Sequence, residues 1–266
     1  MKKILLFALP LLAMCFASCE KDKGEEWTDD SPIIQFKDPK FLEDLITQGI
    51  YNHQTGEFKP SIDKNADGQI SEKEASVVTE LSVSNDIRNI DEIKYFTALT
   101  DLSCSDNQLT SLDLSKNTAL TDLHCGNNQL TSLDLSKNTA LTYLSCSDNQ
   151  LTSLDLSKNT ALTDLHCRNN QLTSLDLSKN TALTWLSCSD NQLTSLDLSK
   201  NTALTDLYCY DNQLTSLDLS KNTALTDLYC YGNPLQKLIL YKYHIIDDSY
   251  MEDIIEEYGD IIEYVE

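Results

Sequence analysis

Glycine and proline are scarce, at seven and five residues in 266, so disorder is not the default for this chain. Basic residues are also few. Twenty lysines and arginines face 42 carboxylates, a net charge of −22. Binding nucleic acid needs clustered Lys and Arg, so nucleic acid is set aside as a partner. Nine cysteines and four histidines are present. There is no C-x-x-C pair and no histidine at ligand spacing, which argues against a zinc site. What remains is a chain with 41% hydrophobic residues, enough for a sizeable core in one or two domains.

Lys2 and Lys3 precede an apolar run at residues 4–16, too short to span a membrane, and then the small residues of "ASC". This reads as a secretory signal peptide, residues 1–18. The motif "FASC" resembles the lipobox of bacterial lipoproteins, which implies lipidation of Cys19. Cys15 follows Met14, which is not small, and is the poorer candidate. Each buried acyl methylene adds about 0.8 kcal/mol, so several chains would hold the protein on a membrane by the anchor alone. Residues 19–38 are charged and read as a tether. Acidic residues just after the cysteine resemble the export signals of some Gram-negative surface lipoproteins, which points to the outer-membrane surface.

Residues 63–74, "DKNADGQISEKE", match the D-x-[DN]-x-[DN]-G-x5-E calcium loop at each fixed position. Calcium takes six to eight oxygens. Asp63, Asn65 and Asp67 would offer side chains, Gln69 its carbonyl, Ser71 a direct or water-mediated contact, and Glu74 both carboxylate oxygens. Gly68 permits the sharp turn, and Ile70 anchors the loop. A helix is expected at residues 39–50, not directly before Asp63, where Gly56 and Pro60 intervene. The loop thus resembles the single calcium loops of dockerin-type modules, within a helical cap at 39–80, and its expected role is structural.

A 21-residue step governs the rest. Cys104, Cys125, Cys146, Cys167, Cys188, Cys209 and Cys230 keep it, and so do the asparagines from Asn107 to Asn233. Such a period means a solenoid. In "LTDLHC", Leu162, Leu165 and Cys167 alternate inward. Leu175 and Leu177 suggest a second short strand on the opposite wall. Residues 78–98 read as a degenerate first turn, with Val83 in the cysteine position. The tail has nine carboxylates and no base from 247 to 266, with Met251, Ile254, Ile255 and Tyr258 at helical spacing. It reads as an acidic cap, residues 241–266. Stacked cysteines have parallel Cβ vectors, which suits buried thiols better than disulfides. The ladder Asp113, Asp134, Asp155, Asp176, Asp197 and Asp218 reads as a solvated flank, offset by lysines three residues on.

The unit L-x-x-L-x-C-x-x-N-x-L resembles the bacterial internalins, notably the 21-residue, cysteine-containing internalin J type. The resemblance covers residues 78–240. It implies an α/β repeat solenoid, a leucine-rich repeat horseshoe wound as a right-handed coil with a parallel β-sheet on its concave face. The repeat domain is placed at 81–240. It also implies adhesion, or binding of a host or neighbouring-cell protein.

Between residues 99 and 224, six copies agree at 17 of 21 positions; the third, fifth, seventh and eighth vary. Drift would also have touched the exposed Lys and Thr. The third, fifth and seventh positions alternate with the inward Leu and Cys, so they face outward on the concave side. There stand Tyr143, His166, Arg168, Trp185, Tyr208, Tyr210, Tyr229 and Tyr231. Rigid aromatics with polar tips anchor protein interfaces, and their faces also stack on sugars. They can equally be a cross-strand cluster that stabilises the last turns. The expected function is binding of a protein ligand by a monomer, with a glycan ligand or a purely structural envelope role as alternatives. Ser145, His166 and Asp164 lie near one another, but an open face without oxyanion donors argues against an enzyme. Calcium is the one cofactor expected.

Overall fold

The computed structural model describes residues 29–47, 51–52, 57–58, 62–84, 86–242 and 254–266. The signal segment, the first half of the tether with Cys19, and Met251 lie outside the described residues.

The chain opens with α1 (Pro39–Thr47), the antiparallel pair β1 (Tyr51–Asn52) and β2 (Glu57–Phe58), and α2 (Glu72–Ser76). Pro39 opens α1, where its missing N–H costs nothing. Phe41 and Leu45 are buried on one face of that helix, and Phe41 packs near Phe36 and Phe96. Buried Asp44 accepts the Ser84 amide at 3.0 Å, and Asp38 accepts those of Arg88 and Asn89. These contacts seat the cap over the open end of the repeat core.

The concave sheet has eight parallel three-residue strands. They are β3 (Glu80–Ser82), β4 (Asp101–Ser103), β5 (Asp122–His124), β6 (Tyr143–Ser145), β7 (Asp164–His166), β8 (Trp185–Ser187), β9 (Asp206–Tyr208) and, after β10 (Ser216–Asp218), β11 (Asp227–Tyr229). Each residue pairs with the one 21 further on, as in Leu144, Leu165 and Leu186. Leu162, Leu165, Cys167, Leu172, Leu175 and Leu177 of one turn are all buried. Val83 is buried in the first, degenerate turn.

The seven cysteines are free and buried, stacked in register. Burial pushes the thiols of Cys104, Cys146, Cys188 and Cys230 up to about 12. They serve as small apolar core residues, not as bonds or nucleophiles.

Two asparagine ladders close the turns. Asn170 Nδ2 donates to the carbonyls of Cys146, Cys167 and Arg168 at 3.1–3.2 Å, and its Oδ1 accepts the Leu151 amide at 2.9 Å. One side chain thus ties two turns together. The second ladder escapes the sequence reading. Asn180, wholly buried, donates to the carbonyls of Leu156 and Asn159, and Asn117 to Asn222 repeat the pattern.

That ladder also corrects the expected opposite-wall strand. In the middle turns the segment holding Leu175 and Leu177 is not a strand. One of its carbonyls, Leu177 O, accepts from the Asn201 side chain at 3.2 Å. At position 243 the repeat has tyrosine where asparagine would stand. There a true sheet forms: β10, β12 (Lys237–Tyr241) and β13 (Ile262–Val265), all parallel. The tail therefore caps partly by adding a strand. Residues 254–258 are helical, with Ile254 and Tyr258 buried and Ile255 exposed. The Tyr258 hydroxyl accepts the Asn233 amide at 3.1 Å and donates to the Asn233 carbonyl. Burial raises its pKa.

Candidate functional site

The outward residues of the concave sheet form one continuous file of rings. His124 lies 4.6 Å from Tyr143, Tyr143 5.3 Å from His166, and His166 6.0 Å from Trp185. Trp185 stacks on Tyr208 at 5.1 Å and Tyr208 on Tyr229 at 4.5 Å, with planes only 13° apart. A second, shorter stack joins Tyr210 and Tyr231 at 4.8 Å. The long file carries one ring per turn. Where the ring stands at the third position (Tyr143, Trp185), the fifth is serine. Where it stands at the fifth (His124, His166, Tyr208, Tyr229), the third is aspartate. Strands about 4.8 Å apart leave room for one ring per rung, and this alternation supplies it. His124 is the ring that completes the file, and sequence reasoning left it out. The rule of one ring or imidazole per turn would have found it.

All of these rings are half-buried except Tyr231, which is 43% exposed. Burial in the file lowers the pKa of His166; Asp164 opposes this, and His124 and Arg168 add to it. Tyr143 stands between the two histidines, so they do not share a metal. The lowered pKa means the folded state resists protonation. The contribution of His166 is therefore complete above the ordinary value near 6.5 and is lost as pH falls below it. Between pH 7.5 and 5 the wild type should lose more melting temperature than His166→Phe, measured by circular dichroism. Equal losses would mean that the ring's protonation is not coupled to folding.

The eighth position varies only within a set that the backbone allows. Asp106, Asn127, Asp148, Asn169, Asp190 and Asp211 have φ of 50–58°, and Gly232 has 65°. Only Asp, Asn and Gly enter that left-handed region at low cost, so the position is set by the backbone. Its side chains still face out and pair along the row. Asn127 donates to Asp106 at 2.6 Å, and Asn169 to Asp148 at 2.7 Å. Arg168 lies 3.5 Å from Asp148. At the seventh position, Ser147 and Ser189 are buried while Arg168 is exposed.

The other wall differs. In the Asp113–Asp218 ladder each carboxylate accepts the amide of the serine two residues on, at 2.9 Å, as Asp176 does from Ser178. That bond is the main cause of the lowered pKa of Asp176; Lys179 contributes least. The ladder is held chiefly by backbone donors, with the lysines secondary.

The loop at 63–74 is tightly organised. Asp63 accepts the amides of Asp67 and Gly68, Asn65 that of Asp67, and Asp67 that of Gln69. Glu74 accepts the amides of Lys64 at 2.7 Å and Ser71 at 2.9 Å, while Ser71 Oγ accepts the Glu74 amide and donates to Asp29. Gly68 has φ +79° and Ile70 is buried, its carbonyl accepting the Ile34 amide. The donors are all oxygen, and each bound carboxylate oxygen keeps a second lone pair, so the residues fit a hard cation. Among the described residues no three His, Cys, Asp or Glu converge in metal-holding geometry. Among them, too, no helix is long and apolar enough to cross a membrane.

The family described as leucine-rich repeats (2 copies) matches residues 97–138, 139–180 and 181–221. No curated protein matches the chain. Among solved structures, the functional domain of internalin J from Listeria monocytogenes, which includes a cysteine ladder, is 33% identical with a TM-score of 0.54. The match covers 75% of this chain and 51% of that one, so this chain spans about half the length of that domain. Internalin C2 from the same organism is 22% identical over 86% of this chain and 94% of its own, with a TM-score of 0.65, and supports the fold alone. The leucine-rich repeat ectodomain of the Arabidopsis thaliana receptor kinase GASSHO1/SCHENGEN3, solved in complex with Casparian strip integrity factor 2, is 28% identical with a TM-score of 0.54. It is covered over 60% of this chain and 21% of its own. With the eight-stranded parallel sheet and the 21-residue step, these likenesses make the chain a leucine-rich repeat protein, structurally similar to the internalins of Listeria.

Proposed function

We propose that this protein is a non-enzymatic recognition module, held on the bacterial outer-membrane surface by lipidated Cys19, that binds a protein ligand on its concave face. One observation carries the reading. Repeats otherwise identical differ in the outward residues of the concave face, and those residues assemble a six-ring file. A file that served only stability could use the same ring in every turn. This one changes from His and Tyr through Trp to Tyr.

The geometry also ranks the ligand classes. A sugar packs on an open ring face. In the file each ring covers its neighbour's face, so edges, hydroxyls and imidazole nitrogens are presented instead. Such polar edges suit a protein surface better than a glycan. The test is a protein pull-down run beside a glycan array, each with wild type and with Tyr208→Ala/Tyr229→Ala. Protein capture that the variant loses supports the reading. Capture of glycans alone, or binding unchanged in the variant, overturns it.

We further propose that Asp63, Asn65, Asp67, Gln69, Ser71 and Glu74 hold a structural calcium ion. At a free concentration about 100-fold above its Kd, calcium should stabilise the cap by about 2.7 kcal/mol. Calorimetry in calcium against chelator should show a higher melting temperature, abolished by Glu74→Gln. No calcium-dependent rise would remove the ion from the account.

A further inference from the structure

Charge is distributed unevenly between the two walls. Between residues 99 and 232 there are fifteen aspartates and seven basic residues, six lysines and Arg168. The wall opposite the concave sheet takes the six ladder aspartates and all six lysines, and is neutral. The concave side takes the other nine aspartates, five at the third position and four at the eighth, against Arg168 alone, at the seventh. None of the nine is fully buried. The excess negative charge of the repeats therefore lies wholly along the recognition face.

The imbalance peaks at one place. Along the eighth-position row, each aspartate is followed by an asparagine that donates to it: Asn127 to Asp106, then Asn169 to Asp148. The next pair breaks the pattern, because Asp190 is followed by Asp211. Two carboxylates stand where the row elsewhere pairs a carboxylate with an amide donor. The pKa of Asp190 is raised, first by burial and then by Asp211, while Arg168 opposes this. Beside them, half-buried Tyr210 stacks on exposed Tyr231. Ser189, next to Asp190, is wholly buried, and its hydroxyl finds no partner among the described residues. Arg168, in contact with Asp148, shows that the row accepts a guanidinium.

We propose that the partner is a basic protein segment, one of whose arginine or lysine side chains seats between Asp190 and Asp211 beside Tyr210 and Tyr231. This rests on the reading of the concave face as a protein-binding surface and names the chemistry of what binds. A cation there supplies the donor that the Asn–Asp pairs have and this pair lacks. The surrounding aspartates raise the encounter rate of a positive segment and disfavour an acidic one.

The test uses the full chain and defined peptides at about 0.15 M salt, where the Debye length is about 8 Å. One is an arginine–serine 12-mer and the other its glutamate–serine counterpart, both followed by calorimetry. The variant is Asp190→Asn/Asp211→Asn. It keeps the fold, because Asn127 and Asn169 already occupy the same position with the same φ. The arginine peptide should bind wild type, bind the variant at least tenfold more weakly, and weaken further with salt; the glutamate peptide should not bind. Equal binding of the two peptides, no binding of the arginine peptide, or an unchanged variant overturns the proposal. So does millimolar calcium displacing the peptide in wild type but not in the variant, which would assign the pair to a metal. The face reading is tested apart. If a neutral or acidic protein ligand is found and Tyr208→Ala/Tyr229→Ala abolishes its binding, the face stands and the basic partner falls.

Discussion

Asn170→Ala should destabilise the protein by about 3–5 kcal/mol. The Asn170 amide satisfies the carbonyls of Cys146, Cys167 and Arg168, and its oxygen takes the Leu151 amide. Alanine leaves these groups unpaired next to a leucine core, each at about 1–3 kcal/mol where burial is complete. For a chain of this size that is a fall of about 10 °C in melting temperature. A solenoid couples neighbouring turns most strongly, so the loss should be local first. Hydrogen exchange should accelerate in residues 141–203 before it does elsewhere. The neighbouring Asn169 provides the contrast. It is exposed and its demand is a positive φ. Asn169→Gly should therefore change stability by less than about 1 kcal/mol. Similar losses for both variants would refute the division of labour between the two asparagines.

Cys167→Asp should cost several kcal/mol at neutral pH. The site is fully buried between Cys146 and Cys188, and burial raises the Cys167 thiol pKa well above the ordinary value. The same desolvation would raise the pKa of a carboxyl placed there. The sign follows from linkage. The unfolded chain ionises near 3.9 and the folded one only at higher pH, so the variant is least harmed below that value and loses stability as pH rises. Each pH unit adds about 1.4 kcal/mol until the folded group ionises. Urea unfolding at pH 4 and pH 7 measures the difference. Cys167→Val, which keeps the site apolar at similar volume, should cost less than about 1.5 kcal/mol. If valine were as damaging as aspartate, the thiols would have a role other than packing.

The solenoid was legible because its cause is periodic. A leucine or cysteine every second residue of a strand, repeated every 21, admits few alternatives. The second asparagine ladder was hidden by the same regularity. Asn180 is as invariant among the copies as exposed Lys179, and identity alone does not separate a buried hydrogen-bonding residue from a copied surface one. The constraint at the eighth position is hidden for the opposite reason. Its letters change, yet only among Asp, Asn and Gly, the residues that tolerate a left-handed backbone. β13 was missed because the tail's Ile254 and Tyr258 carry a clear helical signal, while the short "IIEYV" run takes strand form against β12. At the site, the outward aromatics are visible in the sequence. The continuity of Trp185, Tyr208 and Tyr229 through His166 and Tyr143 to His124 depends on which outward position each turn leaves small, and that emerges only when the turns are stacked.

The most direct measurement compares two paired variants in one binding assay against the protein ligand recovered by pull-down. Tyr208→Ala/Tyr229→Ala removes two rings from the concave file. Lys179→Ala/Lys200→Ala alters the opposite wall and leaves the sheet untouched. With both variants folded by circular dichroism, the tyrosine pair should lose at least tenfold in affinity and the lysine pair less than twofold. Binding that survives loss of the tyrosines, or falls equally in both variants, would contradict recognition by the concave face.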